Sequence, residues 1–133
     1  MAGLTELSEI IKSMSPELMD GEYVFCSVQG TISQYTHLNP IATFRESEGL
    51  TLLVRKPAAE HAHLEFESSY RQITLNVHSS LDSVGLTAAV AGALAEKGIS
   101  ANVIAAYYHD HIFVSSDDAQ IALDTLHALA QGK

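Results

Sequence analysis

Leu4, Leu7, Ile10, Ile11 and Met14 recur three and four residues apart, which predicts an amphipathic helix over about residues 4–14. In the following "SPELMDG", Pro16 is a stop signal and Asp20-Gly21 reads as a turn. "YVFCSV", residues 23–28, is β-branched and aromatic and predicts a strand. Residues 29–40 hold Gly30, Ser33, Asn39 and Pro40 with little periodicity, and read as a loop. In "IATFRESEGLTLLV", 41–54, two apolar runs flank Glu46-Ser47-Glu48-Gly49, the pattern of a hairpin. Pro57 suits a first helical turn, so "PAAEHAHLE", 57–65, reads as a short helix.

The second half is patterned more sharply. "YRQITLNVH", 70–78, alternates, with Ile73, Leu75 and Val77 on one face and Thr74, Asn76 and His78 on the other, as in a half-buried strand. After the polar stretch "SSLDSVG", residues 84–97 set Leu86, Val90 and Leu94 on one helical stripe, and Gly98 is a C-terminal stop. "ANVIAAYY" and "HIFVS" read as two strands around His109-Asp110-His111. "SDDAQIALDTLHALA" closes the pattern as a helix. Ser115 or Ser116 suits its cap, Asp117 and Asp118 its dipole, and Ala119, Ala122, Leu123 and Leu126 its inner face. Residues 70–131 thus give βαββα, and residues 23–65 a degenerate copy lacking the first crossover helix. The element order, not a residue-level repeat, carries this reading. It predicts an α+β fold, an α/β sandwich with helices on one side of a mainly antiparallel sheet.

Composition narrows the function classes. Nearly half of the 133 residues are hydrophobic, enough for a proper core. Seven Lys plus Arg against sixteen Asp plus Glu give a net charge of −9, a surface that repels phosphate backbones and argues against nucleic acid as a partner. No long apolar run predicts a membrane span, and the first residues lack a basic, then apolar, leader pattern. The single cysteine, Cys26, cannot form an internal disulfide, which fits a cytoplasmic setting.

Candidate chemistry is sparse. In a strand, His109 and His111 share a face and could ligate a metal together, but no third ligand stands at a diagnostic spacing. The alternative is a polar hairpin tip, where Asp110 bonds nearby backbone amides. His61 and His63 project about 200° apart on a helix and read as surface residues. No nucleophile elbow, P-loop or dinucleotide fingerprint is present, and Cys26 sits mid-strand as packing. The expectation is a non-enzymatic protein without cofactor or metal. The loop "SSLDSVG", 79–85, carries more. It feeds a helix N-terminus, whose unpaired N–H groups and dipole favour an anion such as a carboxylate, and Gly85 permits close approach. The same residues also suit plain capping by Asp82 or Ser83. Asn102 opens the next strand, with an amide that can donate to a zwitterion or satisfy loop backbone.

The stretch "YRQITLNVHSSLDSVGLTAAVAGALAEKGISANVIAAYYHDHIFVSSDDAQIALDTL" resembles the ACT-domain family, small regulatory domains that bind amino acids. Through "FRESEGLTLLV", "ITLNVHSSLDSVGLTAAV", "GISANVIAAYYHDHIFV" and "AQIALDTL", nearly the whole chain also resembles small bacterial proteins of uncharacterised function with two tandem ACT-like units. The resemblance implies a ferredoxin-like βαββαβ fold, with an N-terminal ACT-like unit over 1–66 and a C-terminal one over 67–133. Each lacks its last strand, so the units complete each other by aligning sheets or sharing a strand. It implies pairing of sheets between chains, hence a homodimer. It places an amino-acid or small carboxylate ligand at an interface, lined by Leu81, Asp82, Ser83, Val84 and Gly85 with Asn102, Val103 and Ile104. Tyr107 and Tyr108 would cover an interface, and His109-Asp110-His111 becomes the tip of the second hairpin. ACT domains usually regulate an attached enzyme, which this chain does not contain. The competing readings are an oligomerisation module without a ligand and a small metal-dependent enzyme built on the histidines.

Overall fold

The computed structural model describes residues 6–78 and 85–132. The chain packs as two compact units: Met1–Asp20 with Arg71–Lys133, here the terminal unit, and Gly21–Tyr70, the central unit. The resemblance divides the sequence at 66/67, whereas packing groups the N-terminal segment with the C-terminal half.

The reason lies in the first thirty residues. Helix α1 (Leu7–Lys12) is shorter than its apolar pattern, and buries Ile10, with Met14 just beyond it. Pro16 then opens a strand instead of merely ending a helix: β1 runs from Pro16 to Val28, straight through Asp20-Gly21. The turn expected there is absent. Gly21 keeps its place in the strand at φ +91°, a conformation that side chains oppose. The first residues of β1 belong to the terminal unit and the rest to the central one.

In the central unit β1 pairs antiparallel with β3 (Gly49–Arg55), and β3 with β2 (Ala42–Glu46). Glu46 faces Gly49 across the hairpin, so the expected turn falls at Ser47-Glu48. The loop over 29–40 contains two 3₁₀ turns, Ile32–Gln34 and Thr36–Leu38. The short helix α2 (Lys56–His61) brings Ala59 onto a core of Val24, Cys26, Val28, Leu50, Leu52 and Val54.

In the terminal unit the strand order is β1, β4 (Tyr70–Leu75), β6 (Asp110–Ser115), β5 (Asn102–Ala105). The segment βαββα of 70–131 is therefore closed by the first residues of β1, which occupy the position of a final strand. The backbone N–H of Asn76 reaches Ser15, at the head of that strand, at 3.3 Å. With the β5–β6 hairpin antiparallel, this is the ferredoxin-like arrangement. Helices α1, α3 (Leu86–Glu96) and α4 (Ala119–Ala130) share a core with Ile73, Leu75, Ile112 and Val114. The stripe of Leu86, Val90 and Leu94 is buried as its spacing requires. Helix α3 ends in a Schellman motif: Gly98 at φ +75°, its N–H on the Ala95 carbonyl and that of Ile99 on Leu94. A 3₁₀ turn, Ser116–Asp118, precedes α4, and neither Ser115 nor Asp118 makes a side-chain cap there.

Candidate functional site

Of the loop that joins β4 to α3, Leu81, Asp82, Ser83 and Val84 lie outside the described residues. Gly85 is the N-cap of α3 at φ +104°, a left-handed conformation that glycine adopts at no steric cost. Having no side chain, it contributes no capping oxygen. Thr87 and Ala88 in the first turn are exposed. The first-turn N–H groups of this eleven-residue helix carry the positive end of its dipole. The space over Gly85 is bounded by Leu7 of α1: a Cβ on Gly85 would sit 3.0 Å from Leu7 Cδ2.

The hairpin tip stands beside the same end of β4. His109 Nδ1 bonds the Val77 carbonyl at 3.2 Å, and Ala106 N–H closes the tip on the His109 carbonyl at 3.0 Å. The His78 ring lies 5.2 Å from that of Tyr108, which packs edge-on to Tyr107 at 5.0 Å. Both tyrosines are about two-thirds exposed, at 68% and 63%. Large exposed aromatics grouped in this way favour contact with another molecule. Periodicity gave no sign of this aromatic group; only the doubled tyrosine before a turn hints at it.

Asn102, Val103 and Ile104 sit elsewhere on the hairpin. Asn102 pairs with Phe113 and Ala105 with Asp110, so Asn102 is about 10 Å of strand from the tip. Its Nδ2 donates to the Phe113 carbonyl at 3.1 Å. Val103 packs partly into the helical core, and Ile104 lies opposite His111. Within one chain, then, the tip and not Asn102 meets Val77 and His78, just beyond β4.

His109 and His111 each spend Nδ1 on a protein hydrogen bond. Thr74 Oγ1 lies 3.0 Å and Gln72 Nε2 3.2 Å from His111 Nδ1, and Gln72 Nε2 donates to Thr74 Oγ1 at 3.0 Å. An amide nitrogen only donates, so His111 Nδ1 accepts and the ring proton sits on Nε2. Alternation places Thr74 on the face opposite Ile73 and Leu75, expected to meet solvent, but Gln72 and Thr74 are both buried. The three polar groups satisfy one another, which removes the penalty of burying them. No group of three or more metal-ligating residues occurs among the described residues. Burial pushes the Cys26 thiol up, out of the range of a reactive thiolate.

Burial, reinforced by His109 and opposed by Asp110, holds His111 below the usual histidine value of 6.5. The unfolded chain therefore binds the proton more readily than the native one. Stability from neutral His111 is complete above 6.5 and is lost as pH falls from there through the native value. Burial also raises Asp110 from 3.8, against the pull of His111 and His109, and its effect has the opposite sign at lower pH: stability falls as pH rises through the native value. Urea unfolding at pH 7.5 and just below 6 is expected to show weaker stability in acid, with a clearly smaller loss in His111→Gln. An unchanged pH slope in that variant would remove His111 from the account.

Family models described as ACT domain match residues 2–71 and 67–128. Among solved structures, a Vibrio cholerae protein of unknown function is 58% identical, with a TM-score of 0.88, over 94% of this chain and 96% of that one. An Agrobacterium tumefaciens protein shares 16% identity at a TM-score of 0.73, over 86% and 87%. The ligand-free regulatory subunit of aspartate kinase from Thermus thermophilus shares 14% identity at 0.58, over 86% and 95%; these two likenesses show the fold. No curated protein matches the chain.

Proposed function

The chain belongs to the ACT-domain family, and from that premise we propose that it is a non-enzymatic regulatory protein that binds a small amino acid or related carboxylate. The ligand carboxylate sits on the first-turn amides of α3, within Leu81, Asp82, Ser83, Val84 and Gly85. Asn102, Val103 and Ile104 complete the site from a second copy of the chain. The left-handed Gly85 at the head of α3, an N-cap with no side chain of its own, is the observation that carries this reading. A side chain there would supply its own bulk where the guest needs room. The Asn102 amide oxygen accepts from the ligand ammonium while its nitrogen holds the hairpin.

The partner is a second copy, met through edge strands, and the setting is cytoplasmic. β5 ends the strand order of the terminal unit, and β2, with Phe44 70% exposed, that of the central unit. Signalling then follows from differential affinity of two assembly states for the ligand. No helix among the described residues is long and apolar enough to cross a membrane.

A thermal-shift screen of the common amino acids tests the reading. A ligand at a hundred times its Kd stabilises by about 2.7 kcal/mol, which raises the melting temperature by several degrees. If no amino acid shifts the transition at millimolar concentration while the protein still dimerises in sedimentation, the module is an assembly device without a ligand. The exposed Phe44, Tyr107 and Tyr108 favour that second reading.

A further inference from the structure

A different part of the central unit is built to hold charge. Tyr23 on β1 stands directly across from Arg55 on β3. Its ring is buried, at 6% exposure, and a buried phenol needs a polar partner. Arg55 Nε supplies one at 3.1 Å from the hydroxyl, and the guanidinium carbon lies 5.1 Å from the ring centroid. Gly21, two residues before Tyr23 and on the same face, leaves the room. A Cβ there would overlap Arg55 Nη1 and lie 2.8 Å from Cζ. Register, hydrogen bond and glycine together fix the fork of an otherwise exposed arginine.

Only one of its five N–H donors is spent in that contact. The fork lines a hollow of about 560 Å³, with Gly21, Glu22, Lys56, Pro57 and Glu60 around it. Arg55-Lys56 is the one adjacent pair of cations in a chain of seven Lys plus Arg and sixteen acidic residues. Glu22 already accepts from Ser69 Oγ at 2.8 Å, while Glu60 is exposed on α2. The hollow therefore offers a pre-set fork and a lysine for a carboxylate, and one exposed carboxylate for a cation. Its volume suits a small ligand.

We infer that this hollow is a second binding site, for a small zwitterion whose carboxylate pairs with the Arg55 fork and Lys56 and whose ammonium meets Glu60. The site does not draw on the β4–α3 loop. Its test is amide NMR on the full chain, titrated with L-alanine and separately with acetate and methylammonium, each of which carries half of the charge pattern. L-alanine is expected to shift the amides of Gly21, Lys56, Ala58 and Glu60 with higher affinity than either half. Arg55→Met is expected to weaken that response about tenfold or more. Glu60→Gln is expected to reduce L-alanine to the level of acetate. The spectra themselves report whether each variant is folded. Silence of these amides at about 100 mM L-alanine, the weak end for so small a ligand, would overturn the inference. So would equal affinities for L-alanine and acetate, or an undiminished response in Arg55→Met. Shifts confined to residues 85–90 would support the loop site and overturn this one, so the two readings fail separately.

Discussion

Leu94→Ala is expected to lower the unfolding free energy by about 2–5 kcal/mol, the cost of deleting a fully enclosed leucine side chain. Leu94 is 0% exposed and packs in the core shared by α1, α3, α4 and the sheet of the terminal unit. Alanine keeps the helical backbone, and the Leu94 carbonyl still accepts from the Ile99 N–H, so the loss is one of packing. The same helix supplies a control of opposite sign. Gly92 is exposed, and a Cβ added there would meet nothing within 4 Å. Gly92→Ala is therefore expected to stabilise by about 0.5–1 kcal/mol, through the smaller backbone entropy lost on folding. Urea unfolding of both variants checks the pair. A Leu94→Ala loss below about 1 kcal/mol would mean that the core collapses around the gap or is not closed as described.

How far these features were legible depends on the kind of force behind each. Leu86, Val90 and Leu94, the alternation of Ile73, Leu75 and Val77, and the glycine after Lys97 are local signals, and the structure follows them. The hairpin at Ser47-Glu48 is equally local. The failures are all tertiary. Pro16 and Asp20-Gly21 look like punctuation in isolation. A strand can nevertheless start on proline, and Gly21 can stay within it, because neighbours supply the pairing and Arg55 fills the glycine's vacancy. Thr74 and Gln72 look like a solvent face until His111, some forty residues later, turns out to satisfy both. The closing strand of the terminal unit was beyond local reading for the same reason: it precedes that unit's other strands by about fifty residues. Of the candidate site, only the place of Gly85 at the head of a helix is readable locally. The distance of Asn102 from the hairpin tip follows only from strand register.

Gly85→Val is expected to cost about 1–3 kcal/mol and, on the proposed function, to abolish the ligand-induced rise in melting temperature while the assembly mass stays that of the parent chain. Two effects add at this position. A β-branched residue at φ +104° is a genuine backbone outlier, since its side chain collides with its own carbonyl neighbourhood. The new Cβ also presses on Leu7, 3.0 Å from Cδ2, although that is the end of a flexible side chain at a position 36% exposed. Leu7→Ala separates the two. If backbone strain dominates, the cost of Gly85→Val is nearly the same with and without Leu7, and the coupling in the double-mutant cycle is a few tenths of a kcal/mol. If the contact dominates, Leu7→Ala rescues most of the loss. We expect the first outcome, because a leucine end can swing aside whereas a φ angle at a helix cap cannot. The ligand arm carries the functional weight. On the proposed binding mode a valine at the head of α3 crowds the guest whichever term governs stability, so a thermal response that survives the substitution would move the guest away from this loop.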